Sequence, residues 1–229
     1  SSAASDVYKR QKMIGDLIKA EILAAKIIPD VHPELAGSLE LGSGRHSLGL
    51  LTCSSDDVAY TALDEATKKA DVKVVYARSL YAGSKNATTR FAGEFIGILA
   101  GPDPEQVRSG LEVCAEYIQN SAFFHSANED DSVIYYAQCI SRTGSFLSKQ
   151  AGIREGESLA YLIAPPLEAV YGLDAAMKAA QVKLCVFYGP PTETNFAGGL
   201  LTGSQESCRA ACDAFARAVE RTASGPRDI

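Results

Sequence analysis

Glu94 stands at the head of an apolar run, Phe95-Ile96-Gly97-Ile98-Leu99-Ala100, and interrupts what otherwise reads as a buried strand. A carboxylate in such a place must meet water, a partner or a ligand, because removing an isolated charge from water is costly. A second acidic feature is the adjacent pair Asp56 and Asp57, which follows Ser54-Ser55. Read locally, the pair supplies the N-cap and first-turn acids of a helix, where the dipole favours negative charge. The remaining reactive residue types point away from chemistry. The cysteines Cys53, Cys114, Cys139, Cys185, Cys208 and Cys212 form no Cys-x-x-Cys pair, so they are expected to be reduced and packed as small hydrophobes. Cys208 and Cys212 share a helical stripe with Ala211, Phe215 and Val219, a packing pattern rather than a metal site. His32, His46 and His125 are scattered, and no metal is expected. Gly42-Ser43-Gly44 precedes a strand instead of following one, which fails the dinucleotide-binding context. The sequence contains neither a Gly-x-x-x-x-Gly-Lys-Ser/Thr phosphate loop nor a nucleophile elbow, so no catalytic residue is assigned. Glu129-Asp130-Asp131 reads as a solvated turn.

The bulk properties agree with a folded protein. A chain of 229 residues with 46% hydrophobic and 22% charged residues can bury one large core or two small ones. A formal charge of −6 argues against a broad phosphate-binding face, so no nucleic-acid partner is expected. Apolar runs such as Phe95 to Ala100 fall far short of the roughly 20 residues of a membrane-spanning helix. No charged-then-apolar leader opens the chain, and the expectation is a cytoplasmic protein without a membrane partner.

The elements that position these residues come in two copies. Residues 62–74 align with residues 172–184 at a constant offset of 110, with seven of thirteen positions identical. Ser47-Leu48-Gly49-Leu50-Leu51 answers Ser158-Leu159-Ala160-Tyr161-Leu162, and Phe91-Ala92-Gly93 answers Phe196-Ala197-Gly198. Within each copy the patterning predicts two strands, a helix, a strand, a loop, a strand and a second helix. In the first copy the strands are 22–28, 47–52, 72–77 and 95–100, with a helix over 60–70. The second copy repeats them at 133–140, 158–164, 182–188 and 199–202, with a helix over 173–180. Asp103-Pro104-Glu105-Gln106 and Ser204-Gln205-Glu206-Ser207 mark the starts of the last helices through their capping residues. The predicted fold class is α+β, an α/β sandwich. Its two domains are residues 13–122 and 123–229, each a mostly antiparallel four-stranded sheet flanked by helices. Residues 1–12 are polar, lie outside the repeat and are expected to be a disordered or non-native extension.

Six motifs in order carry a resemblance. They are Asp64-Glu65-Ala66-Thr67-Lys68, Leu80-Tyr81-Ala82-Gly83, Ser141-Arg142-Thr143-Gly144-Ser145, Ala164-Pro165-Pro166-Leu167-Glu168-Ala169, Pro191-Thr192-Glu193-Thr194-Asn195 and Leu201-Thr202-Gly203-Ser204-Gln205. The chain from about Asp16 to Ala223 thereby resembles the EutL-type shell proteins of ethanolamine-utilisation bacterial microcompartments. The resemblance implies two circularly permuted microcompartment (BMC) domains in tandem. It also implies a homotrimer shaped as a pseudohexagonal tile, with other microcompartment shell proteins as partners in a shell that lies in the cytoplasm. The Gly42-Ser43-Gly44 turn and the first dozen residues depart from the family pattern.

The resemblance also carries the functional residues. It implies a gated central pore built from Tyr81, Ala82, Gly83, Ser84, Lys85 and Asn86 of one loop and Pro190, Pro191, Thr192 and Glu193 of another. Read without the resemblance, the first of these loops is a solvated connection, though its glycine and small polar residues suit rearrangement. A smaller pore within each subunit is implied to bind ethanolamine through Asp56, Asp57, Glu94, Phe124 and Thr194. Such a ligand is a cation carrying a hydroxyl, so carboxylates suit its ammonium group and neutral donors or acceptors suit its oxygen. No cofactor is required, and corrinoid binding stays open at this point. The reading from a different class is a cytosolic regulatory protein that binds a small amine through Glu94 and does not tile.

Overall fold

The computed structural model describes residues 13–81, 89, 91–190 and 192–227. The first half consists of β1 (Leu17–Lys19), β2 (Ile22–Ile28), α1 (Pro33–Ser38), β3 (Ser47–Cys53), α2 (Asp56–Lys69), β4 (Lys73–Ser79), β5 (Phe95–Gly101) and α3 (Pro104–Asn120). The second half consists of β6 (Phe123–Ser126), β7 (Ile134–Ile140), α4 (Ser145–Ala151), β8 (Ser158–Ala164), α5 (Pro166–Ala179), β9 (Val182–Tyr188), β10 (Ala197–Gly203) and α6 (Gln205–Ser224). From β2 onward the first half is matched element for element by the second from β7 onward, as the internal repeat predicts.

Each half forms an antiparallel sheet backed by helices. One sheet has the order β2-β3-β5-β4; the other has the order β1-β6-β7-β8-β10-β9. The four-stranded expectation holds for the first sheet, whereas the second is extended by β6 and then by β1. This extension crosses the halves, since Leu17, Ile18 and Lys19 pair with His125, Phe124 and Phe123. The sequence reading passed over β1, β6, α1 and α4 because each is too short to show a period. It also started α2 at Tyr60 and α5 at Leu173, whereas the helices begin at Asp56 and Pro166. The cap of α2 is Ser55, whose hydroxyl accepts from the Val58 amide, so Asp56 and Asp57 occupy the first turn and neither is the cap. The other capping expectations are met: Asp103 accepts from the Gln106 amide at 2.8 Å, and Ser204 accepts from Ser207 at 3.0 Å.

One hydrophobic core runs through both halves. Leu51, Leu63, Phe95 and Leu99 of the first half pack in the same cluster as Tyr136, Leu147, Tyr161 and Ile163 of the second. A polar clasp reinforces this seam. Gly144 begins α4 without a side-chain cap, and the buried carboxylate of Asp64 on α2 takes over that role. It accepts from the amides of Gly144 at 2.7 Å and Leu147 at 2.8 Å. Glycine is required at 144, because a Cβ there would lie 2.6 Å from the Asp64 carbonyl oxygen. While α2 is covered by α4, the equivalent helix α5 leaves Leu167, Val170 and Tyr171 exposed.

Candidate functional site

The clasp sets α4 beside α2, and a partly enclosed cavity of about 170 Å³ lies where the halves meet. Its acidic wall is the first turns of α2, with Asp56, Asp57 and Tyr60. Arg78 and Ser79 at the end of β4 line it beside Gln150 of α4. The second half contributes Tyr161 and Ile163 from β8, Tyr188 from β9, and Thr192, Glu193, Thr194 and Phe196 from the loop before β10.

Neutral donors hold the two aspartates. The Tyr161 hydroxyl donates to Asp57 Oδ1 at 2.8 Å, and the Asp57 amide donates to Asp56 Oδ1 at 2.8 Å. Ser79 hydrogen-bonds Asp56, and Tyr60 lies 2.7 Å from the Ser79 hydroxyl. With the Ser79 proton directed at Asp56, Tyr60 donates to Ser79. Asp56 is 7% exposed and Asp57 5%, and among the described residues neither is part of an ion pair. Burial pushes both carboxyls above their ordinary range, Asp57 well above it, and for Asp57 the neighbouring Asp56 charge adds to the effect. The positive end of α2 acts in the opposite direction. The surrounding hydroxyls remain protonated: burial pushes Tyr60 up to about 12 and raises Tyr161 and Tyr188 as well.

Glu94 does not line the cavity. It approaches the aspartates from behind, half-buried and one residue ahead of β5, so the apolar strand starts after it and is not interrupted by it. Its amide donates to the Cys53 carbonyl at 3.0 Å, and its carbonyl accepts from Leu80 at 2.7 Å. Burial first, and the charge of Asp56 second, push its carboxyl up to about 7. Gly93 makes this approach possible, with φ +59° and space for a Cβ only 2.6 Å from the Cys53 carbonyl oxygen. Gly93→Ala is therefore expected to cost roughly 1–3 kcal/mol, which thermal denaturation would register as a melting point lowered by several degrees.

The five binding residues expected from sequence are thus placed unequally. Asp56, Asp57 and Thr194 line the cavity, and Glu94 stands behind the acids. Phe124 is buried in the core, its ring tilted against Tyr136 with centroids 5.2 Å apart and against Phe196 at 6.0 Å, and it is Phe196 that faces the cavity. Thr194 is positioned by a tight turn in which Asn195 has φ 63° and its amide donates to the Thr192 carbonyl at 3.1 Å. The sequence reading missed Tyr60, Ser79, Tyr161 and Tyr188, four of the hydroxyls that line the pocket. Tyr60 offered a signal, one helical turn after Asp56; the others are brought in by tertiary structure alone.

Of the expected pore residues, Tyr81, Pro190, Thr192 and Glu193 are described, and Tyr81 is exposed. Ala82, Gly83, Ser84, Lys85, Asn86 and Pro191 lie outside the described residues. Among the described residues, no group of three His, Cys, Asp or Glu side chains could hold a metal ion, and no helix is long and apolar enough to cross a membrane. The cavity offers carboxylates to a small cation and hydroxyls to a polar group attached to it.

Comparison with known proteins agrees with the fold and its duplication. The BMC domain family matches residues 47–129. The Clostridium perfringens bacterial microcompartment shell protein EutL is 65% identical over 93% of this chain and 99% of its own length. The crystal structure of the ethanolamine utilization protein EutL from Leptotrichia buccalis superposes with a TM-score of 0.93 at 60% identity, covering 95% of this chain and 100% of that one. The trimeric bacterial microcompartment shell protein PduB shares the fold at a TM-score of 0.74 and 20% identity, over 89% of each chain. The second half, outside the BMC match, is spanned by the whole-length relatives and repeats the architecture of the first: the chain belongs to the EutL family of bacterial microcompartment shell proteins.

Proposed function

We propose that the chain forms a homotrimeric, pseudohexagonal tile of the microcompartment shell, contacting other shell proteins, and that it performs no bond-making chemistry. In this reading each subunit takes ethanolamine into the acidic cavity. The observation that carries it is the pair Asp56 and Asp57, buried together and, among the described residues, satisfied by neutral donors. A buried carboxylate pair without a cation is incomplete, and an ammonium ion supplies the missing charge and N–H donors. Tyr60, Ser79 and Thr194 are available to the alcohol oxygen of the same ligand.

The trimer draws support from the pseudo-repeat. Within the chain, α4 covers α2; in a ring, α1 of the next copy would cover α5 in the same way. The exposed Leu167, Val170 and Tyr171 on α5 and Leu35 on α1 would then be buried. The residue 13–122 and 123–229 units become six positions of a pseudohexagon. The loops after β4 and β9 would surround the threefold axis as a gated pore, and ligand in the cavity favours the closed pore through its higher affinity for that state.

Sedimentation of the purified protein followed by negative-stain microscopy tests the assembly, with a trimer that grows into flat sheets as the expected result. Calorimetric titration with ethanolamine tests the site. Asp56→Asn should weaken binding about tenfold, as expected when one charged partner of about 1.5 kcal/mol is lost from the cavity wall. A monomer or dimer that binds ethanolamine and never tiles would point instead to a small-amine-binding regulator.

A further inference from the structure

We infer that the acidic pocket exchanges a proton for its cation: one carboxyl of the Asp56, Asp57 and Glu94 cluster is protonated when the pocket is empty, and entry of an ammonium group releases that proton to solvent. This rests on the reading of the pocket as an amine site and specifies how pH regulates it.

Geometry carries the inference. Asp56 and Asp57 are neighbours in one helical turn, where the Asp57 amide holds Asp56 Oδ1 at 2.8 Å and the Tyr161 hydroxyl holds Asp57 Oδ1 at 2.8 Å, so both carboxyls are fixed in the same buried wall. Glu94 is fixed behind them by its two backbone bonds to Cys53 and Leu80. The groups facing this cluster from the surrounding elements are mostly neutral. They are Tyr60 on α2, the buried Cys53 thiol on β3, Ser79 on β4, Tyr161 on β8 and Tyr188 on β9. Glu193 adds a further negative charge to the cavity wall. Arg78 is the cation on that wall. Its guanidinium lies 5.4 Å from the Tyr76 ring centroid and, among the described residues, forms no ion pair with the aspartates or Glu94.

Three carboxylates gathered at one poorly solvated place, with no ion-paired counter-ion among the described residues, cannot all stay ionised, and such a cluster holds a shared proton. The upward displacement of all three carboxyls agrees with this. Protonated Asp57 can donate to Asp56, a bond that raises the former and lowers the latter. An arriving ammonium ion replaces that proton with a full positive charge and up to three N–H donors. The balance is simple: a carboxyl O–H ionises, its electron pair stays on the oxygen, and its proton passes to buffer. The amine itself remains protonated throughout, because aliphatic amines titrate near the lysine range.

Two measurements test the exchange. Calorimetric titration with ethanolamine about one unit below neutral pH, in two buffers of different ionisation enthalpy, should show close to one proton released per ligand bound, with the release falling away above about pH 7. The association constant should rise close to tenfold per pH unit below about pH 7 and level off above it, as proton linkage requires. Carbon-detected NMR of the ligand-free protein should show a carboxyl titrating near neutrality, displaced in Glu94→Gln. Ethanolamine binding with buffer-independent heats and pH-independent affinity would overturn the exchange and leave the amine site standing. Absence of ethanolamine binding at any pH, beside a carboxyl titrating near neutrality, would overturn the amine reading while the shared proton stood. If every cluster carboxyl titrated in the ordinary range, the exchange would be overturned whatever the ligand does.

Discussion

Asp57→Asn is expected to weaken ethanolamine binding roughly 100-fold and, at the same time, to raise the melting temperature of the ligand-free protein near neutral pH. The affinity loss corresponds to about 2–3 kcal/mol, the scale for truncating one partner of a buried charge-paired contact. The stability gain follows from the same burial. Asn keeps an acceptor for the Tyr161 hydroxyl and offers Asp56 a permanent donor in place of the shared proton. The folded protein holds the Asp57 carboxyl well above its ordinary range, so between the unfolded and folded values the native state binds more protons than the unfolded chain. Stability of the wild type therefore falls as pH rises through that window, and the asparagine variant lacks this decline. The two proteins should melt alike in mild acid and diverge with rising pH by several degrees, at about 2–4 °C per kcal/mol for a chain of this size. Differential scanning across pH, paired with calorimetric titration, checks both halves. A variant that binds ethanolamine like the wild type would remove Asp57 from the site.

The second large effect is expected at the clasp between the halves. Asp64→Ala leaves the amides of Gly144 and Leu147 without the acceptors they now have at 2.7 and 2.8 Å. Two buried N–H groups stranded at a helix start should cost about 2–4 kcal/mol, or roughly 10 °C in melting temperature. Asp64→Asn retains one carboxamide acceptor and should lose about half as much. Because α4 carries Gln150 into the cavity wall, loosening its start should also weaken ethanolamine binding modestly, while denaturant slopes stay unchanged if the fold survives. Equal stability of the alanine variant and the wild type would show that water or another group satisfies those amides.

These two predictions differ in how far the sequence reached them. The duplication was readable because Leu63, Asp64, Ala66 and Lys68 recur as Leu173, Asp174, Ala176 and Lys178, and a recurring helix face survives divergence. Yet the repeat conceals a division of labour: Asp64 is buried and caps α4, whereas Asp174 is on the surface, paired with Lys178 at 2.7 Å. Identity of residue does not reveal which copy has a neighbour. The acids of the cavity were legible as charges out of place, but their donors were not. Tyr161 reaches Asp57 across 104 residues of chain, and within its own strand it looks like one more apolar side chain. Phe124 shows the converse, an aromatic residue near the site in space that supports Phe196 from behind. Short elements such as β1 and α4 escaped because three to seven residues carry no measurable period; tertiary contacts make them regular.

The strand β1 ties residues 17–19 to a place made much later. Its neighbours extend the pairing: the Gly15 amide donates to the Ser126 carbonyl at 2.7 Å, and the Ser126 amide donates to the Asp16 carbonyl at 3.0 Å. His125 lies against Gly15 across 110 residues of sequence. On a translating ribosome that interval lasts roughly 5–20 s at ordinary elongation rates. Throughout it β1 has no strand to join, while the strands of the first sheet are made and completed at Gly101. That edge of the second sheet closes only when β6 emerges, so a strand made before the whole first sheet settles after it. A bulky group attached ahead of Met13 would therefore disturb the distant half of the molecule and spare the one beside it.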